Sequence, residues 1–146
     1  MSHSPNRLVA AIVGGIYLAV GLLGFTATAG IGIVSTTGGY LVGVFEVNVL
    51  QNLVHLAIGG VLLASGLAGT RLTPAVNAAF GAVLLALGLA GLFVIGTESN
   101  ILAVNGAVNV LHFGSSIVLL AVGLGAEKPP APARGAGKKA AGSPPA

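Results

Sequence analysis

The sequence predicts an all-α, four-span transmembrane bundle built from a duplicated two-helix repeat, with both termini cytoplasmic. Three observations carry this expectation. Hydrophobic residues make up 55% of the chain and charged residues only 6%, with a mean hydropathy of +1.00, whereas a soluble domain carries about 25% charged residues. Charge is absent from four long stretches, 8–45, 47–70, 72–97 and 99–126, each of which accommodates the roughly 20 apolar residues of a membrane helix. Finally, the pattern N-x3-N-x2-H occurs twice, at Asn48, Asn52, His55 and again at Asn105, Asn109, His112, 57 residues apart and inside apolar runs.

Four spans follow, at about 8–29, 47–69, 74–96 and 101–125, forming a membrane domain over 1–126. The first span ends in Ala27-Thr28-Ala29, which resembles a signal-peptidase site. Its apolar run exceeds the ~7–15 residues of a signal sequence, so a retained span is expected. An internal match argues the same way. Gly14, Gly21 and Gly24 in the first span correspond to Gly81, Gly88 and Gly91 in the third at an offset of 67. With the second and fourth spans matching at 57, the repeat is a helix pair whose loop is ten residues shorter in the second copy. Ser4-Pro5 and Thr73-Pro74 both read as an N-cap followed by proline at the first helical position.

Gly14 and Gly21, like Gly81 and Gly88, are seven residues apart and share a helix face, as expected of close helix packing. The loop 30–44 is rich in Gly, Ser and Thr and poor in helix formers, and is expected to lie along the outer interface. From 127 to 146 the chain is Pro, Ala and Gly with four basic residues. No core can be built from this composition, and a disordered tail that associates with anionic lipid is expected.

Orientation follows from the basic residues. Arg7, Arg71, Lys128, Arg134, Lys138 and Lys139 all fall on one side of the four spans, while Glu46 and Glu98 occupy the other loops. The positive-inside rule places the basic side in the cytoplasm. The net charge of +3 sits beside the membrane and implies no nucleic-acid partner. A second copy or another membrane protein stays open as a partner.

At about 100° per residue, Asn48, Asn52 and His55 fall on one narrow helix face, as do Asn105, Asn109 and His112. In lipid such a stripe turns toward protein, water or a ligand. In an up-down-up-down bundle the second and fourth spans are diagonal, so the two stripes are expected to face the axis, with the histidines near the membrane midplane and slightly toward the outside. The preferred reading is structural: a small accessory protein with an Asn/Asn/His cluster as interhelical glue, each bond worth on the order of 0.6 kcal/mol. The alternative is a site for an ion, proton or small ligand at His55 and His112, and less favoured is a haem with both histidines as axial ligands. Resident metal or cofactor is not expected, since Cys is absent and zinc would find only two strong ligands. No phosphate-binding loop, dinucleotide fingerprint or nucleophile elbow occurs. His112 and Ser116 share a helix face but lack a third member, so no enzyme is expected.

The runs FEVNVLQNLVHLAIGGVLL at 45–63 and NVLHFGSSIVLLAVGL at 109–124 resemble a group of small four-span membrane proteins, found mainly in actinobacteria and catalogued only as a domain of unknown function. The resemblance covers roughly residues 7–125. It implies a bacterial plasma-membrane protein and supplies no activity, cofactor or substrate.

The charge asymmetry gives a test of topology. In whole cells, single cysteines placed at 30–44 or beside Glu98 should react with an impermeant maleimide, while cysteines at Arg71 or in 127–146 should react only after lysis. The opposite pattern reverses the orientation.

Overall fold

The structure, a computed structural model, describes residues 4–69 and 71–125. The tail expected over 127–146 lies outside these residues. Four helices, α1 (Pro5–Gly24), α2 (Val49–Ala68), α3 (Thr73–Val94) and α4 (Gly106–Gly125), form the bundle, and a 3-10 turn, Phe25–Ala27, extends α1. All four are long and apolar enough to cross a membrane. The chain is an all-α, four-helix, multi-pass membrane protein.

Residues sort in the reverse of a soluble bundle. Leu8, Ile12, Ile16, Leu53, Val61, Leu89, Phe93, Val110 and Ile117 point outward, while Gly14, Gly21, Asn52, His55, Asn77 and Ser116 are buried. Lipid solvates leucine as well as a protein core does, so association is left to small residues and polar groups.

Missing side chains set the helix pairs. A Cβ on Gly14 would stand 2.4 Å from Leu63 N, and one on Gly59 would stand 2.6 Å from Leu18 N. Backbone therefore lies on backbone along α1 and α2. In the second pair, a Cβ on Gly81 would meet Leu120 N at 3.0 Å, where Ser116 occupies the position matching Gly59. Other contacts recur at the same offsets. Gly66 lies against Ala11 N and Arg7 O, and Gly123 against Ala78 N and Pro74 O. The helices α1 and α2 pack along their lengths, as do α3 and α4, and the two pairs meet over a smaller contact.

At the end nearest the termini, Arg7 closes α2: its Nε donates to Gly66 O at 3.1 Å and its Nη2 to Leu67 O at 3.2 Å. A cation there complements the helix C-terminus, which turns off through Gly69 at φ +60. Asn77 Nδ2 donates to Asn6 O and Oδ1 at 3.0 and 2.8 Å, tying α3 to α1. Thr73 departs from expectation. It is the first residue of α3, after an N-cap at Leu72, and its hydroxyl donates to Ser65 O.

The opposite end holds the other departures. Within the 30–48 loop, β1 (Gly39–Leu41) and β2 (Phe45–Val47) pair antiparallel, with Leu41 opposite Phe45. Their turn closes through Val44 N to Leu41 O, with positive φ at Val42 and Gly43. Two positive φ values match the strand twist of a hairpin. They suit Gly43 but strain the β-branched Val42. Burial of Leu41 and Val47 seats the hairpin, and Glu46 turns back to accept from Gly38 N at 2.9 Å. The fourth helix begins at 106 rather than 101, because Asn100 exchanges bonds with Val104 N and O, both at 2.9 Å, and folds 100–104 into a loop.

The glycine seam predicts a position-specific effect. Gly59→Ala should destabilise the bundle by about 1–3 kcal/mol, the usual cost of overpacking, because its neighbours are backbone atoms. Gly60→Ala, whose Cβ meets nothing within 4 Å, should be neutral or better. Thermal unfolding in detergent should separate the two.

Candidate functional site

The six polar residues of the two stripes separate by depth into three tiers. Asn48 and Asn105 are not in the interior cluster, because helix begins only after each of them. Asn48 caps α2, its Oδ1 accepting from Gln51 N at 2.8 Å, and Asn105 accepts from Val108 N at 3.0 Å. Their amide donors reach across the molecule. Asn48 Nδ2 donates to Ile101 O at 2.8 Å and to Ser35 O at 2.9 Å, while Asn105 Nδ2 donates to Val44 O at 2.9 Å. Val44 and Ile101 are themselves 57 residues apart, as Asn48 and Asn105 are. Each cap thus grips the loop that precedes the other, a reciprocal clasp over the β-hairpin end.

Asn52 and Asn109 form the second tier, and they do not meet. Each amide packs against a glycine of its own helix pair: a Cβ on Gly24 would stand 2.1 Å from Asn52 Oδ1, and one on Gly91 2.4 Å from Asn109 Oδ1. Gly24 and Gly91 make the room that these amides fill. Both Asn52 side-chain polar atoms and Asn109 Oδ1 are buried without a hydrogen-bond partner.

His55 and His112 form the third tier, and here the stripes converge. Each is the seventh residue of its helix, six rises or about 9 Å from the helix start. In helices about 30 Å long, the pair therefore lies somewhat toward the β-hairpin end of the bundle. The ring centroids are 6.0 Å apart with planes at 75°, and the side chains are 1% and 2% exposed. Tyr17 of α1 stands edge-on to His55 with centroids 5.2 Å apart. Its hydroxyl is directed at Ser115 without reaching hydrogen-bond geometry. Neither nitrogen of His55, nor Nδ1 of His112, nor Tyr17 Oη has a partner. Toward the termini, Val13, Ile58, Leu62, Leu84 and Leu119 close the interior with aliphatic packing. Toward the β-hairpin, the clasp and the buried Val47, Ala103 and Val104 cover it.

The expected hydrogen-bonded glue is therefore not at the histidines. Cross-element bonds are made instead by Asn48, Asn105 and Asn77, and by Gln51, whose amide nitrogen, turned toward carbonyls, donates to Leu102 O and Glu46 O. Sequence reasoning passed over Tyr17, Asn77, Gln51 and Asn100. Asn77 carried a signal in the sequence, being an amide within an apolar span. Tyr17, in the interior of the first span, carried little, since a lone tyrosine among apolar residues has no spacing pattern that marks a site.

Residues 7–125 match the family model described as a domain of unknown function, DUF4383. The chain belongs to that family. No curated protein and no solved structure matches it. Chemistry at the site must therefore be argued from the site's own atoms. Two imidazoles, a phenol and two serines offer donors and acceptors but no formal charge. Among the described residues no three His, Cys, Asp or Glu side chains come together. Ser116 Oγ already donates to Phe113 O at 2.9 Å, which leaves His112 without an activated nucleophile. A haem between the rings would have to displace Tyr17 from the edge of His55.

The clasp can be separated from the caps. Serine keeps the capping oxygen but is too short to reach the opposite loop. Asn48→Ser should therefore speed hydrogen exchange in 97–105, and Asn105→Ser in 39–47, with helical content unchanged. Loosening confined to the mutated residue's own loop would show that the clasp does not couple the halves.

Proposed function

We propose that this is a small, non-catalytic plasma-membrane protein that binds a small hydrophilic guest between His55 and His112. The observation that carries this reading is a pair of facing, buried imidazoles in which both nitrogens of His55 and Nδ1 of His112 find no protein partner. An orphaned buried polar group costs about 1–3 kcal/mol. A purely structural core would gain nothing from retaining several in contact. The scaffolding role expected of the stripes is assigned to the caps and to Asn77, which do make bonds between elements.

Aliphatic packing of Ile58, Leu62, Leu84 and Leu119 on the terminal side of the histidines argues against a through-pore. The absence of an activated nucleophile beside His112 argues against catalysis. Recurrence of the glycine contacts and of the clasp at constant offsets supports descent from a duplicated helix pair. The distribution of basic residues supports cytoplasmic termini, with the β-hairpin and the histidine pair on the outer side. The basic residues after 127 would then lie near anionic lipid, each contributing about 1 kcal/mol close to the surface.

A binding site and structural glue respond oppositely to leucine. If the nitrogens serve a guest, His55→Leu and His112→Leu strand no protein partner and remove an unsatisfied group, so each should hold or raise the melting temperature in detergent. The double variant should raise it further. If the imidazoles hold the helices together, both should lower it by several degrees, and that result would sink the binding reading.

A further inference from the structure

The donor set and spacing of the two facing histidines restrict what they could hold. Resting on the binding reading above, we propose that His55 and His112 hold one soft monovalent d10 cation of the Cu(I) class, bound in near-linear two-coordinate geometry. Two imidazoles on one ion, with metal–nitrogen bonds of about 2.0 Å and a ring centre about 1.1 Å behind each nitrogen, have centroids about 6.2 Å apart when linear. The observed separation is 6.0 Å. A direct N–H···N bond of about 2.9 Å would bring the centroids to about 5.1 Å, closer than they stand. With the planes 75° apart, the two rings do not crowd each other edge to edge around a shared point. Holding an ion there would require each imidazole to turn about its Cβ–Cγ bond until a nitrogen faces that point.

Charge and ligand number select among metals. Zinc takes four ligands, usually including thiolate or carboxylate. The chain has no Cys, and the carboxylate of Glu46 is held in the β-hairpin by Gly38 and Tyr40. A divalent ion would leave two uncompensated charges in a low-dielectric interior, a monovalent ion only one. Imidazole suits copper as it does zinc, iron and nickel. The thiolate and thioether donors that usually select Cu(I) are lacking, as the chain has no Cys and its one Met is Met1, so the choice rests on two neutral donors satisfying a two-coordinate d10 ion. Tyr17, with its ring against His55 and its hydroxyl unpartnered, adds a polarizable wall and a weak oxygen donor. The equal depth of the two histidines, seven residues into α2 and α4, brings both to one point without a shift of either helix.

The test uses the full chain in lipid nanodiscs with His3→Ala, so that the remaining histidine cannot contribute. Cu(I) is offered anaerobically from a coloured bidentate chelate, and Ag(I) serves as its redox-inert equivalent. One ion should transfer per chain, and Ag(I) should raise the melting temperature. Either His55→Gln or His112→Gln should weaken uptake by on the order of a hundredfold or more, beyond the 10–100-fold typical of losing only a supporting partner. Gly60→Ala, whose added Cβ meets nothing within 4 Å, should take up the ion normally. Absence of transfer, transfer indifferent to both glutamine variants, or preference for Zn(II) would each overturn the proposal. The leucine variants keep the two readings apart. Stability held or raised by leucine without Cu(I) uptake leaves the binding reading with a different guest, whereas stability lost to leucine removes the binding reading itself.

Discussion

Backbone-to-backbone approach within each helix pair is the constraint on which the other features rest. Where Gly14 meets Leu63 N and Gly59 meets Leu18 N, no side chain separates α1 from α2. In lipid there is no hydrophobic gain from bringing apolar helices together, so dispersion over a close, well-fitted seam has to hold them. The seam fixes the rotation of α2 about its axis. That rotation turns Asn52 under Gly24 and His55 toward Tyr17 and the bundle interior. The same geometry in α3 and α4 places Asn109 under Gly91 and brings His112 to face His55.

Neither pair is complete without the other at the β-hairpin end. Asn48 and Asn105 each satisfy an amide at the start of their own helix and then donate to the opposite half. Buried polar groups have to be paired, and here the pairing partner is the loop that closes the other half's mouth. Opening one side therefore breaks the part-buried Asn48 bond together with the Asn105 bond at the surface. This reciprocity makes the covering over the histidines a single cooperative unit. At the other end, Asn77 with Asn6 and Arg7 with the end of α2 hold the frame.

Between these two layers of cross-element bonds lie side chains that make none, although the Asn6–Asn77 pair also leaves Asn6 Nδ2 and Asn77 Oδ1 unpartnered. The contrast is chemical as well as spatial: amides at both ends are used as connectors, while the imidazoles between them connect nothing. Structural polarity is spent at the rims, where carbonyls at helix and loop ends are free to accept. Deeper in the bundle, helical carbonyls are already committed to their own ladders, so side chains there must find each other or an external partner. A hydrophobic floor of Ile58, Leu62, Leu84 and Leu119 keeps the imidazoles apart from the cytoplasmic half in the proposed orientation.

The sequence by itself determined the four apolar spans, the membrane class and the family. These depend on composition, on span length against bilayer thickness, and on local periodicity, all of which are written along the chain. It also singled out His55 and His112, because two imidazoles at equivalent positions in apolar helices stand out against their neighbours. What it could not assign was which polar residues bond and which do not. Asn48 and Asn52 look alike on a helical wheel, yet one lies just before the first helical residue and becomes a cap and clasp, while the other lies inside it and is orphaned. That difference depends on where α2 begins, and there the loop segment before the β-hairpin lies against the first turn through Leu50 N to Ile33 O. The start of α4 is set by Asn100 folding onto Val104. The 6.0 Å between the imidazoles was decided only by the tertiary structure, because it is the sum of two seams, a clasp and a rotation, and no local pattern encodes a distance between diagonal helices.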